Sequence, residues 1–271
     1  MGMRAEERQK YLLDTAVKDG FVSISKASVA LDVSIETIRR DINSLSRENK
    51  LRKVRGGASP VKLTLRRDAD YLLRKNNNQQ VKMSIGMEAA KLITDGKIVI
   101  FDCGVSIQNI AACVTDVRDV TFITNSVPTM SILLDKFTSG EITGRVIMIG
   151  GEIDTANRFS KGAAVTDTID KYCADIAFIS CTALSAENVS SYSLDECYFS
   201  SHVMSRTAVS ILIAESEKLG KNSVYSFAKI TDFDTIITDD RNGIPNETQK
   251  VLEVSDTRLI VVPVMDDGST E

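Results

Sequence analysis

A series of short β-branched runs, each followed by a helical pattern and starting near residue 97, constrains this chain more than any other feature. Lys97 to Asp102, Val120 to Thr124, Arg145 to Ile149, Asp175 to Cys181, Val209 to Ala214, Thr235 to Thr238 and Arg258 to Val262 read as strands. Helical spacing predicts helices over Lys82 to Ile93, Val127 to Lys136, Gly162 to Tyr172, Asp195 to Thr207 and Asn246 to Glu253, with a further one between the first two strands. Strands that alternate with helices predict an α/β domain with a mostly parallel sheet covered on both faces. At 271 residues the chain has room for a second, smaller domain.

The charge pattern places that second domain at the start. Residues 1–60 hold 12 Lys and Arg against 8 Asp and Glu, while the remainder holds 21 against 29. A basic module on an acidic body fits one end that meets a polyanion. Helical spacing covers Glu6 to Lys18, with Gly20 placed to end the helix; Phe21 to Ile24 alternates as a short strand or link. Ser25 is read as the cap of a helix over Lys26 to Leu31, and Ser34 as the cap of one over Ile35 to Glu48. In the latter, Ile38, Ile42 and Leu45 form an apolar stripe.

Two short helices joined by a tight turn make a helix-turn-helix, whose second helix can enter a major groove. Thr37, Arg40 and Ser44 lie away from the stripe, with Arg39 and Asn43 on its flanks. Arginine can bond guanine in bidentate fashion, and all of these groups can hold phosphate. Leu51 to Gly57 alternates and ends in a double glycine, as a β-hairpin wing bearing Arg52, Lys53 and Arg55.

The stretch Val33-Ser34-Ile35-Glu36-Thr37-Ile38-Arg39-Arg40-Asp41-Ile42, with Arg8 before it and Leu51-Arg52 and Arg55-Gly56-Gly57-Ala58 after it, resembles the DeoR family of bacterial transcription regulators. The resemblance implies a winged helix-turn-helix that binds double-stranded operator DNA, with Ser34, Thr37, Arg39, Arg40 and Arg55 in that role. Asp32 stands where the family often has Gly, and Asp tolerates the left-handed conformation moderately well. The resemblance continues through Lys82, Gly86, Asp102, Gly104, Thr124-Asn125-Ser126, Gly150-Gly151, Gly162, Asp175, Asp195-Glu196, Lys218 and Gly220. It implies an effector domain similar to ribose-5-phosphate isomerase and coenzyme A transferase folds, which senses a phosphorylated sugar or similar metabolite.

Parallel α/β sheets bind ligands at the carboxyl ends of their strands. There this chain places Asp102, Gly104 and Ser106, then Asn125, then Gly150 and Gly151, and Lys218 after a later strand. They are the candidate effector residues. Where the family commonly has D-S-G-T-T-T, this chain has Asp102-Cys103-Gly104-Val105-Ser106-Ile107, so two of three hydroxyls are missing. Glu215-Ser216-Glu217 replaces a more usual D-S-S and adds an acid near Lys218.

The expected organisation is a DNA-binding domain over 1–58, a connection over 59–80, an effector and oligomerisation domain over 81–262 and a flexible tail over 263–271. The expected function is a repressor of a carbohydrate-metabolism operon, acting as a homo-oligomer (dimer or tetramer), because paired half-sites require at least two recognition helices. Two alternatives are a sugar-phosphate isomerase-like enzyme with a DNA-binding head, and a regulator whose second domain only oligomerises. An isomerase's acidic catalytic loop has no counterpart in Cys181 to Ser185, so no enzyme activity is expected. Five cysteines without a C-x-x-C pair and a single histidine, His202, fit neither a disulfide framework nor a metal site, and no cofactor is expected. The opening MGMRAEERQK lacks the apolar stretch of a secretory signal and no apolar run reaches about 20 residues, so the expected location is the cytoplasm, away from membranes.

Overall fold

The structure is a computed structural model that describes residues 5–19, 21–47, 50–54, 56–60 and 71–264. The chain divides into two compact units, Met1–Arg67 and Asp68–Glu271. The expected stop at Gly20, residues 61–70 of the connection read over 59–80, and the tail from 265 onward lie outside the described residues.

The first unit comprises α1 (Ala5–Asp19), β1 (Val22–Ser23), α2 (Ile24–Leu31), α3 (Ile35–Arg47), β2 (Leu51–Val54) and β3 (Gly57–Pro60). Its core gathers Leu12, Ala16, Val22, Ala27, Leu31, Ile38, Ile42, Leu45, Leu51 and Ala58, so each element contributes its apolar side. α2 starts two residues earlier than its sequence suggests. Ser23, not Ser25, is the cap, and its hydroxyl accepts from the Lys26 amide at 3.4 Å. The turn after α2 closes with Asp32 at φ 48°, its amide on Val29 O and that of Val33 on Ser28 O, the paired bonds of a Schellman stop. β2 and β3 pair in register Val54↔Gly57, with Gly56 at φ 82° in the two-residue loop, which confirms the wing hairpin. β3 also pairs with β1, and a Cβ on Gly57 would lie 2.0 Å from Val22 O, so only glycine admits that third strand.

The second unit begins with α4 (Tyr71–Asn76) and α5 (Gln79–Ala90). α5 starts three residues before the predicted Lys82 and stops before Ile93, because Asn78 turns left-handed ahead of it and Leu92 and Ile93 bond only three residues back. There follow β4 (Ile98–Phe101), α6 (Val105–Cys113), β5 (Val120–Thr124), α7 (Val127–Ser139) and β6 (Gly144–Met148). β7 (Glu152–Asp154), β8 (Phe159–Lys161), α8 (Ala163–Ile169), β9 (Ala174–Ser180), β10 (Ala183–Leu184) and β11 (Asn188–Ser191) come next. The unit ends with α9 (Leu194–Ser205), β12 (Thr207–Ile213), β13 (Tyr225–Lys229), β14 (Thr235–Asp239), α10 (Asn246–Glu253) and β15 (Arg258–Val262).

Seven strands form one parallel sheet in the order β15-β14-β12-β9-β4-β5-β6. Val99 and Phe101 of β4 enter one apolar layer, with α5 and α6, while Ile100 between them enters the other, with α8 and α9. Burial on both faces is why these strands read as unbroken apolar runs. Phe101 lies 5.6 Å from both Phe122 and Phe178 and ties three strands together on the first face. The β7–β8 hairpin and the antiparallel sheet β10-β11-β13 have no counterpart among the elements that the sequence predicts.

Candidate nucleic-acid interface and effector site

Ser34 caps α3: its hydroxyl accepts the Thr37 amide at 3.1 Å and lies 2.8 Å from the Thr37 hydroxyl. Arg39 and Arg40 are exposed on the side of α3 away from its buried stripe; Thr37, Asn43 and Ser44 are half-buried. Arg39 lies 3.7 Å from Glu36, an exposed pair that contributes little to stability. Lys53 of β2 donates to Asn43 Oδ1 at 2.9 Å, so the wing cation sits beside the exposed face of α3. Arg52 pairs with Ser59 across the hairpin, and Arg55 lies outside the described residues.

One residue of α3 is charged where the packing is apolar. Asp41 falls between Ile38 and Leu45 on the buried side, and Arg8 of α1 meets it in a fork, Nε to Oδ2 at 2.8 Å and Nη2 to Oδ1 at 3.2 Å. This pair fixes how α3 lies on α1, and the contact holds the guanidinium pKa up. Sequence reasoning matched Arg8 without giving it a role; an acid at stripe spacing was the signal that it needed a partner.

In the second unit the strand order reverses between β4 and β9, the switch point at whose carboxyl ends sheets of this kind have their ligand crevice. Asp102 sits at that point and is buried. One carboxylate oxygen accepts the Cys103 amide at 2.7 Å; the other accepts the Ser180 amide at 3.2 Å and the Ser200 hydroxyl at 3.0 Å. Burial pushes this carboxyl up to about 6, against the pull of those donors. Gly104, at φ 139°, precedes α6, and a Cβ there would stand 2.6 Å from Ser180 Oγ, so the residue at this position must be glycine.

Asn125 is fully buried; its amide donates to Ser160 O at 3.1 Å, and its Oδ1 is without a hydrogen-bond partner among the described residues. Gly150 and Gly151 are exposed at the turn after β6, and Gly151 has room for no Cβ because Val165 and Lys161 O lie within 3 Å. That turn packs the β7–β8 hairpin over the strand end, with Ser160 donating to Asn125 O through its amide at 2.8 Å and to Ile149 O through its hydroxyl.

Lys218, expected to offer a point charge to an anion, and Ser106, expected to offer it a hydroxyl, are both engaged with Glu215. Ser106 donates to Glu215 Oε1 at 2.8 Å, Lys218 Nζ lies 3.4 Å from the same oxygen, and Lys82 Nζ lies 3.1 Å from Oε2. Lys82 also donates to Asn77 O. Burial raises the Glu215 carboxyl, but Lys218, Lys82 and Ser106 outweigh it and hold it at about 2. Burial lowers the Lys218 ammonium and Glu215 more than restores it, leaving it raised. Sequence reasoning saw the acid beside Lys218 and missed its second ammonium, which comes from α5, more than a hundred residues away. A polar cavity of about 220 Å³ borders Glu215, lined by Asn78, Glu217, Asp239, Arg241 and Asn242.

Cys103, Cys181 and Cys197 are buried, and burial pushes the thiols of Cys181 and Cys197 up to about 11 and raises that of Cys103 well above its ordinary value. His202 bonds Asp170 at 2.8 Å. No cluster of metal-ligating side chains occurs among the described residues, and no helix among them is long and apolar enough to cross a membrane.

A winged helix-turn-helix joined to a parallel α/β unit whose strand order reverses between β4 and β9 defines a DNA-binding regulator with a separate sensor domain. Residues 8–64 match the DeoR-like helix-turn-helix domain, and residues 77–240 match the DeoR C-terminal sensor domain. The chain belongs to the DeoR family of transcription regulators. It is 28% identical over 253 residues to the HTH-type transcriptional repressor GlcR of Bacillus subtilis, covering 89% of this chain and 95% of that protein. It is also 28% identical over 255 residues to the lactose phosphotransferase system repressor of Staphylococcus aureus, covering 94% of this chain and all of that one. Among solved structures, a D-ribose-5-phosphate isomerase in complex with phospho-erythronic acid matches with TM-score 0.38 and 12% identity, over 52% of this chain and 54% of that one. The probable sor operon regulator from Shigella flexneri matches with TM-score 0.36 and 12% identity, over 53% and 77%.

Proposed function

We propose that this protein is a cytoplasmic repressor of a carbohydrate-metabolism operon, acting as a homo-oligomer. Residues 1–58 hold the operator, 59–80 connect, and 81–262 sense a phosphorylated sugar or related metabolite and oligomerise. The observation that carries the reading is the two-sided α3: Arg39 and Arg40 are exposed on one side, while the other is locked into the core by the Ile38, Ile42 and Leu45 stripe and the Arg8–Asp41 fork. Ser34, Thr37, Asn43 and Ser44 extend that face, and Arg52, Lys53 and Arg55 would hold the flanking phosphates from the wing. The effector would meet Asp102, Gly104, Ser106, Asn125, Gly150, Gly151 and Lys218 at the strand ends. It changes DNA affinity only by binding two arrangements of the oligomer unequally, with a coupling of about 1–3 kcal/mol.

Footprinting on the DNA upstream of the protein's own gene, with and without a panel of sugar phosphates and sugar acids, tests the reading. The expected result is two protected half-sites about one helical turn apart, with protection altered by one member of the panel. Protection of no duplex at modest salt would overturn the proposal.

A further inference from the structure

We propose that Ile35 and Glu36, the first two residues of α3, read bases of the operator: Ile35 packs on the C5-methyl group of a thymine, and Glu36 accepts a hydrogen bond from the amino group of a cytosine. The proposal rests on the reading of α3 as the helix that holds the operator. Neither residue belongs to the basic, amide and hydroxyl set that binds DNA in that reading. Both are exposed, Ile35 at 47% and the Glu36 side chain at 62%.

A single exposed isoleucine is ordinary on a protein surface; on this helix its position decides its use. The apolar cluster of the first unit takes Ile38, Ile42 and Leu45 from α3 and leaves Ile35 out. Residues three and four apart share a helix face, so Arg39 stands one turn above both Ile35 and Glu36, 3.7 Å from the latter. Asn43 follows one turn later, with Lys53 of the wing donating to it. The exposed side of α3 thus carries its cations and amide from Arg39 onward, while its first turn presents an aliphatic side chain and a carboxylate. The hydroxyls at that end, Ser34 and Thr37, lie 2.8 Å from each other, and that of Ser34 also accepts the Thr37 amide.

In helix-turn-helix modules the N-terminal residues of the second helix meet base edges. A phosphate gains no bond from an isoleucine side chain and is repelled by a carboxylate, so a first turn that presents these two suits bases and not the backbone. The thymine methyl is the apolar group of the major groove, and Ile35 matches it. Glu36 accepts and does not donate. Adenine sets its N7 acceptor beside its amino group, whereas cytosine shows a donor alone, so cytosine is the base whose edge a carboxylate fits. The guanidinium of Arg39 beside it offsets the repulsion between this carboxylate and the flanking phosphates.

The test uses the full-length protein. Selection from randomised duplexes at modest salt defines the preferred sequence of wild type, Ile35→Ser and Glu36→Gln. Affinities are then measured on the wild-type site with each thymine replaced in turn by uracil, which pairs alike and lacks the methyl. The expected result is one thymine per half-site whose replacement weakens wild type about fourfold, as burial of one aliphatic carbon predicts, and leaves Ile35→Ser unaffected. For Glu36→Gln the expected result is a change of preference at one position of each half-site from cytosine to adenine, which a glutamine amide meets in bidentate fashion. Both residues are exposed, so both variants should melt with wild type. A uracil series that leaves wild type unmoved, or weakens Ile35→Ser equally, overturns the role of Ile35. A Glu36→Gln preference identical to that of wild type overturns the role of Glu36. Either result leaves the reading of α3 standing, whereas the absence of any preferred sequence for wild type overturns both roles and that reading with them.

Discussion

Arg40 is exposed on α3, one residue before the buried Asp41, and the two neighbours face opposite demands. If Arg40 reads a base, Arg40→Ala costs about 1–3 kcal/mol of specific binding and relaxes selectivity at one position of each half-site. Selection on randomised duplexes checks this, and unchanged selectivity would reduce Arg40 to a phosphate clamp. Asp41 acts through the core. Asp41→Ala leaves the Arg8 guanidinium part-buried without its fork and is expected to lower stability by about 1–3 kcal/mol in urea unfolding; a variant as stable as wild type would show the fork to be dispensable. Such pairs are hard to read in a sequence, since Arg8 and Asp41 are 33 positions apart and only packing brings them together.

At the scale of elements, the wing and α3 act as one surface through the Lys53–Asn43 bond. Lys53→Ala should weaken binding to all sequences alike and reduce the slope of log affinity against log salt by about one, because one phosphate is no longer neutralised. An unaltered slope would mean that β2 does not touch DNA. The pattern that revealed α3 and the long strands was strong because each has a full apolar side. It failed for the β7–β8 hairpin and for β10-β11-β13, whose strands are two to five residues long, too short to show a full apolar side of their own.

For the whole molecule, the buried acids of the sensor unit give opposite pH dependences. Asp102, raised to about 6, is bound to its proton more tightly in the folded state than in the unfolded chain, so its charge lowers stability above pH 6, and the loss is relieved as pH falls toward 4. Glu215, held at about 2, stabilises the fold above its ordinary value of 4.5, and that contribution fades as pH falls toward 2. Each tenfold difference in proton affinity between folded and unfolded chains is worth about 1.4 kcal/mol, so wild type should gain up to about 3 kcal/mol between pH 7 and pH 4 from Asp102 alone. Asp102→Asn, compared by urea unfolding across that range, is expected to lose this gain; a variant with the wild-type slope would show that the carboxyl does not titrate there.

The sequence by itself determined the two-part plan, the helix-turn-helix and wing, the parallel sheet and the glycine at 104, because period, charge and backbone permissiveness are local properties that neighbouring residues carry. The tertiary structure decided which charges meet. Nothing near residue 215 in the chain announces Lys82 or Ser106, and strand order alone brings α5, α6 and the end of β12 together around one carboxylate. The field a ligand meets is a sum over groups distant in sequence, so it exists only once the sheet has closed.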